Sequence, residues 1–183
     1  DLNEGYAIYR PRYILPDYNV YIKKGCEFLE LRAPKDLDEA LDGLLILYSH
    51  VPSITTFPVY IGRLDMLLDP FITDEEQDYI KIKRFLNHVD KTVPDSFCHA
   101  NIGPYDTKAG RLILKAVIEL EAPTPNMTIR YDKSKTSREF AELAAKACLL
   151  VSKPSFANDA YYISDLGEQY GIASCYNALP ECG

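Results

Sequence analysis

The chain has 183 residues, and 20 Lys and Arg against 27 Asp and Glu give a formal net charge of −7. An apolar share of 47% with 26% charged residues is ordinary globular composition and excludes wholesale disorder, collagen and a long coiled coil. The acidic balance argues against a nucleic-acid surface, and no apolar run approaches the roughly 18 residues of a membrane span. We therefore expect neither nucleic acid nor membrane among its partners.

The cysteines and the chain ends suggest a piece of a cytoplasmic protein. The five cysteines form an odd, unevenly spaced set without a C-x-x-C pair, so neither a disulfide framework nor a metal site is predicted. They are Cys26, Cys98, Cys148, Cys175 and Cys182. The sequence does not start with Met, shows no signal peptide, and has two ends that are typical of a cut chain.

The first 60 residues are the least regular part of the sequence. Residues 1–32 are rich in Tyr and Pro, which predicts extended or irregular segments, and a weak alternation allows a short strand from Gly25 to Leu31. A capping box then begins a helix predicted over residues 36–49. Two prolines and a β-branched run favour a short strand or loop over Val51–Tyr60.

The remaining sequence alternates between helical and strand patterns. Three helices are predicted from capping signals and apolar spacing. They cover residues 74–89, which follow Thr73, residues 107–120, and residues 137–151, which follow Thr136. Met127–Tyr131 is typical of a strand, a short helix is expected to end near Tyr170 with Gly171 after it, and Ile172–Tyr176 is strand-like. This order predicts an α/β layered or barrel architecture.

Standard catalytic motifs do not occur in the sequence. Neither G-x-G-x-x-G nor G-x-x-x-x-G-K-[ST] is found, so no nucleotide-phosphate loop is predicted. The three histidines do not have the spacing of metal ligands, and each is more typical of a surface or packing residue. They are His50, His88 and His99. Two alternatives stay open on the residues alone. One is a cysteine hydrolase or transferase that uses His88 or His99, and the other is a non-catalytic α/β binding or interaction module.

An ordered set of segments in the second part of the chain resembles the glycyl radical enzymes. In chain order the segments are Ile61–Asp65, Asn101–Asp106, Pro125–Tyr131, Pro154–Asp159 and Tyr170–Cys175. The first two are similar to the family's G-R-L-D segment and to the stretch before its P-N-x-T-x-R strand. The third is similar to the P-N-x-T-x-R strand itself. The last two are similar to a turn with an aromatic residue and N-D, and to the loop with the essential cysteine. Each segment alone is common, and their order carries the resemblance. It covers about residues 60–183 and is closest to the YjjI-like group.

The resemblance implies a truncated part of a ten-stranded α/β barrel. It divides the chain into a poorly assigned N-terminal segment, residues 1–60, and a barrel portion, residues 61–183, that ends in the cysteine loop. It also implies an enzyme in which a stable glycyl radical removes hydrogen from the Cys175 thiol. The thiyl radical then abstracts hydrogen from a small organic substrate. Cys182 is the weaker alternative cysteine.

Further site residues follow from the same resemblance. Asn158, Asp159, Arg130 and Asn177 are substrate-site candidates. Asn158–Asp159 equally fit a turn or helix cap, and Arg130 equally fits an ion pair. Asn177 stands where dehydratases and decarboxylases of the family have a Glu, and an amide does not transfer a proton at neutral pH, so these two reactions are not expected.

The resemblance also implies partners. The radical glycine lies outside these residues, so the chain is expected to be inactive alone and to need the remainder of its polypeptide. A radical-SAM iron–sulfur activating enzyme would install the glycyl radical under anaerobic conditions. No bound cofactor or metal is expected, and the intact protein is expected to be a homodimer.

Overall fold

The computed structural model describes residues 16–55, 59–93, 98–168, 170–173 and 177–180, with only the backbone of 51–55, 173 and 177–180. The main sheet has four parallel strands in sequential order. They are β1 (Val59–Arg63), β2 (Cys98–Ile102), β3 (Asn126–Tyr131) and β4 (Ser155–Asn158). A separate antiparallel pair consists of β5 (Tyr170–Ala173) and β6 (Asn177–Pro180). The α/β prediction is confirmed, and so is the strand predicted over Met127–Tyr131.

Helices connect the parallel strands and form a layer on one face of the sheet, whereas the last helix packs against β5. In chain order they are α1 (Tyr18–Lys24), α2 (Leu37–Thr55), α3 (Leu64–Leu68), α4 (Glu75–Thr92), α5 (Lys108–Glu119), α6 (Arg138–Val151) and α7 (Asp159–Leu166). Neighbouring contacts run from α2 to α4, from α4 to α5 and from α5 to α6. Their buried apolar side chains and those of the sheet form the main core.

The three helices predicted after residue 70 are confirmed, and two of them have another N-cap residue than predicted. The helix predicted over residues 107–120 is capped by Thr107, whose hydroxyl accepts a hydrogen bond from the Gly110 N–H at 3.0 Å. The cap of α4 is Asp74 rather than Thr73, because the Asp74 carboxylate reaches two free N–H groups of the first turn. Ser137 rather than Thr136 caps α6 by accepting from the Phe140 N–H.

Three local predictions are wrong. The helix predicted to end at residue 49 continues to Thr55, so residues 51–55 are helical where a short strand or loop was predicted, and β1 begins at Val59. Between Gly25 and Leu31 the structure has a single bridge, Cys26 to Leu31, around a 3₁₀ turn. The last helix ends at Leu166 because Gly167, with a φ of 87°, takes the left-handed conformation that closes it.

The two faces of the sheet differ in chemistry. Successive side chains of a strand point to opposite faces, and one face packs apolar side chains against the helices. These side chains are Val59, Ile61, Cys98, Ala100, Ile102, Met127 and Ile129. The alternating positions carry a buried polar set instead: Tyr60, His99, Asn101, Thr128 and Arg130. We call these five residues the polar face.

β5 covers the polar face, since it contacts β1, β2 and β3. Strands that are buried on both faces usually carry apolar side chains throughout. Buried polar groups need hydrogen-bond partners, because leaving one unpaired costs about 1–3 kcal/mol. The polar face therefore determines where β5 can lie.

A buried carboxyl joins the ends of the first two strands. Asp65, fully buried in α3, accepts hydrogen bonds from the Met66 N–H at 2.9 Å, the Gly103 N–H at 2.8 Å and the Thr107 hydroxyl at 3.3 Å. Burial raises the pKa of Asp65 to about 6, and these hydrogen bonds with the Arg63 charge only partly oppose the shift. Asp65 thereby connects the end of β1 to the loop after β2 and to the cap of α5.

This carboxyl predicts a pH-dependent stability. Because the folded state favours the protonated form, the contribution of Asp65 is fully present below about pH 4 and is lost as the pH rises through about 6. The full loss corresponds to about 3 kcal/mol. In urea unfolding of the full-length protein, the stability difference between wild type and Asp65→Asn should shrink across this range. A difference that stays constant with pH would contradict the assignment.

Candidate active site

The predicted cysteine loop lies between the two strands of the small hairpin. Ala173 at the end of β5 pairs with Asn177 at the start of β6. The three residues between them include Cys175 and lie outside the described residues, as does Cys182. Asn177 is described only by its backbone in β6. The structure therefore shows how the stem before Cys175 is held, and the predicted roles of Cys175, Cys182 and Asn177 stay predictions.

Arg130 on β3 is the largest fully buried side chain described. Its Nε donates to Asp159 Oδ1 at 2.7 Å, its Nη1 to the Tyr170 carbonyl at 3.1 Å, and its Nη2 to the Glu168 carbonyl at 3.3 Å. Its guanidinium carbon also lies 3.9 Å from the centre of the Tyr170 ring. Each of the three guanidinium nitrogens thus donates a hydrogen bond to another group of the protein. Two of these groups are the carbonyls of Glu168 and Tyr170.

Asp159 completes this ionic centre from the first turn of α7. Its Oδ1 accepts from the Tyr170 hydroxyl at 2.5 Å as well as from Arg130, and its Oδ2 lies 3.6 Å from Lys135 Nζ. Burial, followed by the hydrogen bond to Asp159, raises the pKa of the Tyr170 hydroxyl, so it stays a donor. Arg130, Asp159 and Tyr170 are all buried. They form a closed unit that we call the ionic centre.

The ionic centre contains the ion pair that the sequence allowed for Arg130, formed with Asp159. Asn158 is exposed and caps α7 by accepting from the Tyr161 N–H at 3.3 Å, which is the capping alternative. A direct contact of Asn158, Asp159 or Arg130 with substrate stays a prediction. What the geometry assigns to Arg130 and Asp159 is the placement of Tyr170, the first residue of β5.

Asn101 on β2 is a second anchor of β5, and sequence reasoning missed it. Its Nδ2 donates to the Ile172 carbonyl at 2.7 Å, and its Oδ1 accepts from the Ile172 N–H at 3.0 Å. The Tyr60 hydroxyl donates to the same Oδ1 at 2.7 Å. In the sequence, Asn101 begins the family-like segment Asn101–Asp106, and the alternation Cys-His-Ala-Asn-Ile would be expected to turn its polar positions towards water.

The sequence matches the glycyl radical enzyme YjjI-like family over residues 1–183. The chain belongs to this family. The resemblance drawn from residues 60–183 is thereby confirmed, and the match also includes the first 60 residues, where the sequence motifs were weak.

Two relatives extend this comparison. A Haemophilus influenzae protein named only as uncharacterised is 93% identical over 183 residues. The uncharacterised protein YjjI of Escherichia coli K12 is 48% identical over 186 residues. Both alignments include the whole chain and 36% of the relative. The chain thus spans about a third of the length of these YjjI-like proteins.

A charged pair lies at the solvent side of the ionic centre. Lys135 Nζ is 3.3 Å from Asp132 Oδ2, close to its contact with Asp159. Partial burial disfavours the ammonium ion, but Asp132 and Asp159 outweigh it and raise the pKa of Lys135. The Ser134 hydroxyl and N–H, together with Lys135, lower the pKa of Asp132. Lys135 therefore stays a cation and offsets the second oxygen of Asp159.

The alternative chemistries receive little geometric support in the described part of the chain. His88 is exposed on α4 and His99 is buried on the polar face. Cys98 points to the opposite face from His99, into the main core. No three His, Cys, Asp or Glu side chains come together as a metal site in the ranges that the structure covers. No helix in those ranges is both long and apolar enough to cross a membrane.

The ionic centre predicts strong coupling between Arg130 and Asp159. Removing one partner leaves a buried charge, so Arg130→Met and Asp159→Asn should each destabilise the full-length protein by about 3–5 kcal/mol. The double variant should lose about 1–3 kcal/mol less than the sum. Urea unfolding of the four proteins measures this coupling.

An exposed ion pair of the same chain provides a matched control for this double-mutant cycle. Arg138 Nε and Glu142 Oε1 are also 2.7 Å apart, but their side chains are 86% and 64% exposed. The same cycle with Arg138→Met and Glu142→Gln should give negligible coupling, because solvent screens exposed pairs. Equal coupling in the two cycles would show that burial does not strengthen the Arg130–Asp159 pair.

Proposed function

We propose that the chain is the cysteine-loop part of a glycyl radical enzyme and that Cys175 carries its thiyl radical. The family match and the order of the motifs support this function. The observation that carries it is the placement of β5. Asn101 and Arg130, two buried residues of the polar face, bind the backbone of the strand that leads to Cys175, while the main core lies on the other face. Such a buried, polar and rigid support suits a reacting group that must be held in one place.

In the proposed reaction, the cysteine and the glycine that exchange a hydrogen atom belong to the same polypeptide. The Cys175 S–H bond breaks homolytically, and its hydrogen atom forms a C–H bond at a glycine radical elsewhere in the longer chain. The unpaired electron stays on sulfur, which is polarizable. The thiyl radical then takes a hydrogen atom from a carbon of a small organic substrate. No net charge moves in either step.

The outer strands support the proposal that other segments complete a ten-stranded barrel. Within the described residues, β1 and β4 each pair with one neighbour only, and an open edge of a sheet is normally covered. Phe156 on β4 is 46% exposed, beside a groove of about 470 Å³ that continues to Asp132 and Asn158. The remaining two thirds of the relatives' length is sufficient to supply the missing strands.

The proposed partners follow from this chemistry. A radical-SAM iron–sulfur enzyme would generate the glycyl radical, and the intact protein would work anaerobically in the cytoplasm as a homodimer. The protein would need no other bound cofactor, because the radical resides on its own glycine. Asn177 does not titrate, so dehydration or decarboxylation by a carboxylate next to the thiol is not proposed.

The experiment records electron paramagnetic resonance spectra of the activated full-length protein in H₂O and D₂O. A glycyl radical gives a doublet because its single α-hydrogen splits the signal. In D₂O the thiol becomes S–D, so repeated transfer between Cys175 and the glycine should replace that hydrogen and collapse the doublet. Cys175→Ala should keep the radical and the splitting, whereas wild type should lose the splitting.

Two further variants make the assignment specific. Cys148→Ala on α6 changes a half-buried thiol on the helix side and should behave as wild type. Cys182→Ala should also behave as wild type, and a preserved doublet in that variant would move the role to Cys182. Collapse in Cys175→Ala at the wild-type rate would exclude Cys175. No doublet in the activated wild type would contradict the proposed function as a whole.

A further inference from the structure

The side-chain amide of Asn101 takes the place of a neighbouring strand along β5. Both backbone polar groups of Ile172 bind this one amide, at 2.7 and 3.0 Å. Asn101 is fully buried, so no water competes for these bonds. A shift of β5 by one residue would leave the amide and the Ile172 peptide groups unpaired, at a cost of about 1–3 kcal/mol for each group. Asn101 therefore sets the register of β5 on the sheet.

Tyr60 and Gly171 fix the position of the contact between Asn101 and Ile172. The Tyr60 hydroxyl donates to Asn101 Oδ1, which orients the amide so that Nδ2 faces the Ile172 carbonyl. The Tyr60 ring lies so close to β5 that a Cβ on residue 171 would be 2.5 Å from a ring carbon. Glycine at 171 is thus required for the approach. We call Tyr60, Asn101, Gly171 and Ile172 the β5 clamp.

Two anchors two residues apart restrict β5 more than either does alone. The ionic centre holds the Tyr170 carbonyl through Arg130, and the β5 clamp holds Ile172 through Asn101. Residues i and i+2 of a strand present their peptide groups to the same side. Together the anchors determine both the position and the direction of β5. Only two residues, Ala173 and Ser174, separate Ile172 from Cys175 in the sequence.

We propose that Asn101 is a positioning residue for Cys175, acting through the backbone of Ile172. The inference rests on the proposed function, since it assigns Asn101 to the geometry of the hydrogen transfer. The Asn101 amide binds Tyr60 and Ile172 and has no proton to exchange at neutral pH. Its role is to keep the thiol at the distance from the glycine at which hydrogen passes between them. A displacement of about 1 Å can slow such a step about 100-fold.

The test measures the rate at which the glycyl doublet collapses in D₂O, in the full-length, activated protein. Asn101→Asp has the same shape but turns the Nδ2 donor into an oxygen opposite the Ile172 carbonyl. We expect its doublet to collapse about 100-fold more slowly than that of wild type at equal radical content. Tyr60→Phe keeps the ring and removes one hydrogen bond, so we expect collapse about threefold to tenfold slower.

A destabilised but remote variant separates positioning from stability. Asp78 is buried on α4 and accepts from the Thr73 and Asp74 N–H groups at 2.8 and 2.9 Å. Asp78→Asn replaces a carboxylate by an amide, the reverse of Asn101→Asp, on a helix whose apolar side chains pack into the main core and not on the polar face. It should lower the melting temperature and leave the collapse rate at the wild-type value. If it slows collapse as much as Asn101→Asp does, the positioning role is overturned.

The remaining outcomes distinguish the inference from the function on which it rests. Wild-type collapse rates in both Asn101→Asp and Tyr60→Phe would overturn the positioning role and leave Cys175 as the hydrogen donor. A loss of radical content at an unchanged collapse rate would also overturn it, because the effect would then lie in activation. If Asn101→Asp does not fold, Tyr60→Phe decides alone. Absence of collapse in wild type would contradict the proposed function itself.

Discussion

The structure depends on one constraint: polar side chains buried under a parallel sheet must find partners within the protein. The guanidinium of Arg130 and the amide of Asn101 are both excluded from water. Each is satisfied by the backbone of β5, at Tyr170 and at Ile172. The requirement is mutual, because without the polar face the outer side of β5 would itself carry unpaired peptide groups. The placement of β5 thus follows from hydrogen-bond satisfaction more than from apolar packing.

This arrangement separates the two tasks of the sheet. The face with Val59, Ala100 and Ile129 buries apolar area against the helices and supplies most of the folding free energy. The opposite face contributes little apolar area, and its hydrogen bonds specify one geometry. A change among the helices is therefore expected to alter stability with little effect on β5. A change at Asn101 or Arg130 also acts on the strand before Cys175, because both side chains bind the backbone of β5 directly.

Local signals predicted part of the fold, and tertiary contacts decided the rest. α5 and α6 are visible in the sequence because their caps and apolar spacing lie within a few residues of one another. β2 was not predicted as a strand, because burial of His99 and Asn101 depends on β5, about 70 residues further along the chain. Arg130 and Asp159 were found through motif order, which carries family information. Asn101 begins one of the same ordered segments, Asn101–Asp106, but only the coordinates show what it binds.

The order of the two anchors along β5 suits a reaction that moves hydrogen atoms rather than protons. The charges of Arg130, Asp159 and Lys135 lie at the start of the strand, by Tyr170. The contact nearer to Cys175 is an amide against a peptide group, which is neutral in both partners. A charged group next to a reacting centre stabilises a transition state in which charge develops. Little charge develops in the hydrogen-atom transfer proposed above, so a neutral anchor that fixes the strand is sufficient for it. The β5 clamp has this property.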